Sequence, residues 1–147
     1  MSVNTLGILS ILLTAILIGS SFAHLLELPN KIHLPPNTYL MVQQLYRGWA
    51  LLGIAVLAAL VATVALAVQL QAHRPSMFPL VGGAAACIVA SLIVFFVFTF
   101  PANRITENWT KLPQNWERLR RRWEYSHAAN AGLYLLALVL LTFALVR

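Results

Sequence analysis

The stretch WALLGIAVLAALVATVALAVQL, Trp49 to Leu70, carries no charged side chain from one end to the other. An α-helix needs about 20 apolar residues to cross a hydrocarbon core of roughly 30 Å, and this run is long enough. Backbone amides in lipid must be satisfied within their own segment, and the strands of a membrane barrel would alternate apolar with polar residues. This run does not alternate, so it reads as a membrane-spanning helix.

Working outward, three further runs have the same character: Val3 to Phe22, Leu80 to Phe100 and Ala128 to Val146. Four spans with short connections use up the chain. Residues 1–147 are therefore expected to form a single domain, an all-α, integral membrane, antiparallel four-helix bundle with an extended amphipathic cytoplasmic start to helix four. Of the 147 residues 60% are hydrophobic and 10% charged, and the mean hydropathy is +0.78. That is too apolar for an ordinary soluble domain. Ser21-Phe22-Ala23 looks like a small-residue cleavage site, but no Lys or Arg precedes Lys31, so the first run is expected to be retained as a helix. Cys87 lies alone inside the third run and can support no disulfide framework; it reads as a small packing residue.

In a four-span chain the first and third loops share one membrane face, and both termini share the other with the second loop. Lys31, Arg47, Arg104, Lys111, Arg118, Arg120, Arg121 and Arg122 fall on the first face, against Arg74 and Arg147 on the second. The positive-inside rule makes the first face cytoplasmic and the termini non-cytoplasmic, in an inner or plasma membrane if the source is bacterial. The net charge of +6 then suits anionic headgroups. No nucleic-acid recognition motif accompanies it.

Pro29, Pro35 and Pro36 are expected to stop the first helix and leave a stiff, extended connection, since proline lacks an amide donor and restricts its predecessor. Pro101 ends the third apolar run. Gly82-Gly83-Ala84-Ala85-Ala86 gives that span a small-residue face for close approach of a neighbouring helix, or of a second copy in a homo-oligomer. From Pro113 a helical pattern begins ahead of the fourth span. Trp116, Arg120, Trp123, His127, Asn130 and Tyr134 recur on one stripe, while Arg118, Arg121 and Arg122 make the flank of an amphipathic segment lying against headgroups before it turns in.

The polar chemistry converges at the cytoplasmic face. His24-Leu-Leu-Glu27 closes the first span, and Glu124-Tyr-Ser-His127 opens the fourth with the same spacing inverted. Residues three apart share a helix face, so two imidazoles and two carboxylates can meet at one depth if these helices pack together. Dimetal helix bundles take Glu-x-x-His from two helices and further carboxylates from the others. Here Glu107 is available on the third helix but the second offers no acid. One transition metal held by His24, Glu27, Glu124 and His127 is the expectation, with iron, copper and zinc all compatible. The alternative pairings are Glu27 with Arg47, and Glu124 with Arg120 or Arg104, in the manner of ordinary interfacial ion pairs. His33 and His73 read as loop residues. The tryptophans read mostly as interface anchors, with Trp123, on the His127 stripe, as a wall for an aromatic substrate.

Two motifs carry a family resemblance. Pro101-Ala-Asn103-Arg104-Ile105 ends the third span, and Trp116 is followed by Arg122-Trp123-Glu124-Tyr-Ser-His127 entering the fourth. Together with length and span count they resemble a family of small four-span membrane proteins that includes the anthrone oxygenases of polyketide pathways. The resemblance implies an oxygenase-like role on a lipophilic, phenolic small molecule, carried by Asn103, Trp123, Glu124 and His127. Asn130 stands where an arginine is expected in many members.

Three functions follow as expectations. The first is a membrane oxidoreductase in which the His/Glu set holds a metal while Asn103 and Arg104 orient a substrate oxyanion. The second is a haem-binding electron carrier with His24 and His127 as axial ligands. The third is a non-catalytic assembly or lipid-binding subunit.

Overall fold

The computed structural model describes residues 1–146. Four helical rods are long and apolar enough to cross a membrane: Val3–Lys31, Trp49–His73, Pro75–Ile105 and Trp116–Val146. Within them, and in the first connection, the α-helices are α1 (Val3–Lys31), α2 (Pro36–Gln43), α3 (Leu52–His73), α4 (Phe78–Val94), α5 (Phe100–Ile105) and α6 (Trp116–Val146). No strand occurs among the described residues.

The rods alternate in direction and form a square in which α1 touches α3 and α6, and α4 touches α3 and α6. Ser2 caps α1 by accepting the amide of Thr5 at 3.1 Å, which satisfies one of the orphan donors of the first turn. Small residues bring the rods close. A Cβ on Gly83 would stand 3.3 Å from Leu140, so part of the expected small-residue face does meet α6. Leu66, Leu70, Val81, Ala84, Ile88, Ala137, Leu141 and Ala144 fill the middle and the far end without exposure to solvent.

Two proline expectations are corrected. Pro29 does not stop α1, which runs on to Lys31; placed in the last turns, it removes a single helical hydrogen bond and leaves little helix beyond it to disrupt. The first connection is not extended either. Pro36 opens α2, because the first helical position needs no amide donor and proline's fixed φ already suits it. Pro101 does not end the third rod, since Phe95–Thr99 form a π-turn, with the Phe100 amide bonded back to Phe95. The wider turn absorbs the ring and the missing donor of Pro101, and α5 continues to Ile105.

The fourth rod has the expected extended start: α6 is one uninterrupted helix of 31 residues that begins at Trp116, well before its apolar run. At about 1.5 Å per residue it exceeds a hydrocarbon core of roughly 30 Å, so its arginine-bearing turns project beyond the apolar zone along the same axis. Between α5 and α6 the chain reverses through Glu107, Asn108 and Trp109, all left-handed with φ of 49°, 55° and 60°.

Candidate functional site

The ends of α1 and α6, with α2 and the segment before α3, enclose a polar cluster at the basic mouth of the bundle. Because α1 descends to this mouth and α6 rises from it, the two three-residue pairs stand at one depth. The His24 and His127 ring centroids are 4.3 Å apart. His24 is buried, and neither its Nδ1 nor Nε2 of His127 has a hydrogen-bond partner among the described residues.

The carboxylates are held by a residue that sequence reasoning missed. Lys31 is only 3% exposed, and its Nζ lies 3.2 Å from Glu124 Oε1 and 3.4 Å from Glu27 Oε2. It also donates to the Tyr46 hydroxyl at 3.0 Å and stands over the rings of Tyr46 and Trp123 at 4.5 and 4.9 Å. Tyr46 in turn donates to Glu27, and Tyr39 of α2 donates to Glu124 at 2.9 Å. Neither Arg47 nor Arg104 pairs with these acids; both are exposed. Arg120 instead donates to the Leu34 carbonyl at 2.8 Å and lies over Trp116. One buried ammonium is a shorter route to two carboxylates than two guanidinium groups reaching in from the rim.

Burial, with the neighbouring Glu124 charge, holds the Tyr39 hydroxyl well above its ordinary range. Burial and the Glu27 carboxylate do the same for Tyr46. Both phenols therefore stay protonated and act as donors at neutral pH.

An aromatic wall surrounds the imidazoles. Trp123 packs on His127 at 4.2 Å and edge-on to His24 at 5.0 Å, while Tyr46 and Trp49 close the other side at 4.5 and 5.4 Å. Asn103 organises this wall: its Oδ1 accepts from the indole of Trp123 at 2.8 Å and from that of Trp109 at 3.2 Å. Its carbonyl is therefore a clamp for two indoles, and Arg104 beside it is exposed. Trp109 is buried against Tyr39 and is core here, not an interface anchor.

The other expected residues lie apart. Glu107 pairs with Lys111 at 2.7 Å on the exposed turn. His33 is exposed, and His73 bonds the Gln69 carbonyl at the opposite end. Asn130, farther along α6, is buried with Oδ1 unpartnered among the described residues.

Compared with family models, with curated proteins and with solved structures, the chain matches none.

Among the described residues no three His, Cys, Asp or Glu side chains are placed to hold one ion, and the position between the two carboxylates is taken by the Lys31 ammonium. The imidazoles touch ring to ring in an aromatic box, beside the Lys31 cation. Lys31, Tyr39 and Tyr46 had no signal beyond residue type, because their roles depend on α2 folding back over the mouth.

Proposed function

We propose that this chain is a multi-pass membrane oxidoreductase of the oxygenase type, acting on a lipophilic phenolic molecule at the basic mouth, with the His24–His127 pair as proton acceptor. The basic mouth lies at the cytoplasmic face, where its arginines meet anionic headgroups. The observation that carries the reading is the pair of buried, unpartnered ring nitrogens, on His24 and His127, within one aromatic box. A buried polar atom without a partner costs about 1–3 kcal/mol. An acidic O–H or C–H of a bound molecule is the partner such a site suits.

The chemistry follows from the residues and from the resemblance to anthrone oxygenases. In an anthrone-type substrate a methylene lies between two aryl rings beside a phenolic system. An imidazole takes one methylene proton, and the electron pair left behind delocalises over the rings onto oxygen. Molecular oxygen, the oxidant and co-substrate, bonds to that carbon. Loss of the second methylene proton with cleavage of the O–O bond leaves a carbonyl and releases the other oxygen atom as water, so that CH2 and O2 become C=O and H2O. The Lys31 cation and the rings of Trp123 and Tyr46 favour a flat anion over the neutral ground state. A groove of about 380 Å³ lined by Ser20, Gly48, Trp49, Leu51 and Leu52 adjoins the Trp49 side of the box, the flank from which a lipid-dissolved ring would approach.

The test is oxygen uptake by the detergent-purified protein given an anthrone. Uptake should equal ketone formed, should be unchanged by excess chelator, and should fall about 10²- to 10⁴-fold in His127→Ala, the range expected for loss of a general base. A wild-type protein that takes up no oxygen overturns the proposal, as does activity lost to chelator and restored by a transition metal.

A further inference from the structure

A base sealed from water must pass on each proton it takes. His24 is 3% exposed, the His127 Nε2 is buried, and Trp123, Tyr46 and Trp49 cover the pair. The His24 ring and the His127 Nε2 have no direct path to bulk water, although His127 as a whole is half-buried. The two carboxylates beside them differ sharply in access: the Glu124 side chain is 0% exposed, held between Lys31 and Tyr39, whereas that of Glu27 is 43% exposed. Glu27 Oε2 lies 4.0 Å from His24 Nδ1, one turn along the same helix.

Resting on the oxygenase reading, we infer that Glu27 is the proton exit of the imidazole pair, in the order His127, His24, Glu27, water. The step moves a proton alone: the imidazolium N–H bond breaks, a carboxylic O–H forms, and that proton then leaves to solvent. Nothing is oxidised or reduced. The 4.0 Å gap is one that a single bridging water or a small ring rotation closes. The groups facing Glu27 are His24 and Lys31 from its own helix and Tyr46 from the segment before α3, with Glu124 of α6 on the other side of Lys31. Tyr46, whose phenol burial and Glu27 keep protonated, steadies the carboxylate as a donor and is not itself the route. Lys31 keeps Glu27 on the imidazole side of the rim, so the exit is built from the same ammonium that seals Glu124.

Glu27→Gln keeps the volume and a carbonyl acceptor for Lys31 and Tyr46 but cannot carry a proton, which separates relay from scaffold. Turnover should fall about 10- to 100-fold, the solvent deuterium isotope effect should rise, and added acetate or imidazole should restore rate with concentration. The variant with Asp at this position should stay within a few-fold of wild type. An independent readout needs no substrate: by 15N NMR, solvent exchange of the His24 and His127 ring protons should slow about tenfold or more in E27Q and recover with acetate. Where E27Q does not accumulate, Glu27→Ala carries the same measurement, with exchange slowed and restored by acetate. Unchanged exchange, or a loss of turnover that no small acid rescues, makes Glu27 an ion-pair partner only and overturns the inference. Exchange that depends on Glu27 in a protein with no oxygen uptake keeps the proton exit and removes the oxygenase reading.

Discussion

The two ends of the bundle solve the packing problem differently. At the far end Leu66, Leu70, Val81, Leu141 and Ala144 meet as bare apolar surfaces, and Gly7 lets α1 approach Leu145 so closely that a Cβ there would sit 2.7 Å from it. At the mouth, Lys31, Glu27, Glu124, Tyr39 and Tyr46 are joined by directed bonds. In lipid the separated helices are already in an apolar solvent, so the far end gains from close fit and not from escape from water. The mouth gains from mutual satisfaction of groups that no apolar solvent would tolerate alone. Substitutions should therefore be forgiven at one end and cooperative at the other.

The largest effect should come from Lys31→Ala. It strands Glu124 as a buried carboxylate without its cation, a change that costs about 3–5 kcal/mol, and thermal unfolding in detergent should show it together with loss of activity. A melting temperature within a degree or two of wild type would place the ammonium outside the working structure and erase the contrast between the ends. Leu66→Ala should come next. With the transfer part largely absent in lipid, the cavity part remains, about 2 kcal/mol for a void of roughly 80 Å³, and turnover should be unaltered. A large loss of turnover there would mean that the far end takes part in function.

Smaller still is an alkaline effect from Tyr39. Its hydroxyl is held above the ordinary value in the fold, so the unfolded chain releases a proton near pH 10 that the native chain retains. The stabilisation is present in full below about pH 10 and fades as pH rises toward the raised native value, at about 1.4 kcal/mol per pH unit. Melting curves between pH 9 and 11.5 should show that slope, and Tyr39→Phe should flatten it. An unchanged slope in Tyr39→Phe would assign the alkaline loss to other groups.

Much of this was legible in the sequence. The four rods follow from unbroken apolar runs, because only helices satisfy a backbone in lipid. The meeting of His24 and His127 follows from two inverted three-residue spacings on antiparallel helices. Lys31 was not legible: beside Pro29 and Pro35 it reads as one more juxtamembrane charge, and its burial depends on Tyr46 and Glu124, 15 and 93 residues away along the chain. The turn before Pro101 was not legible for a related reason. Proline forbids a regular α-turn, but nothing local announces that Phe95–Thr99 will widen to take it. Asn103 was legible as a marked position and not as a clamp, since its partners Trp109 and Trp123 come from a left-handed turn and from another helix.

That widened turn sets the aim of everything beyond it. A π-turn spends one residue more than an α-turn, and one residue is worth about 100° of rotation around a helix axis. Asn103 reaches the two indoles only because the surplus residue among Phe95–Thr99 has already turned the rod by that amount. Shortening the segment by a single position would swing the amide off the indoles.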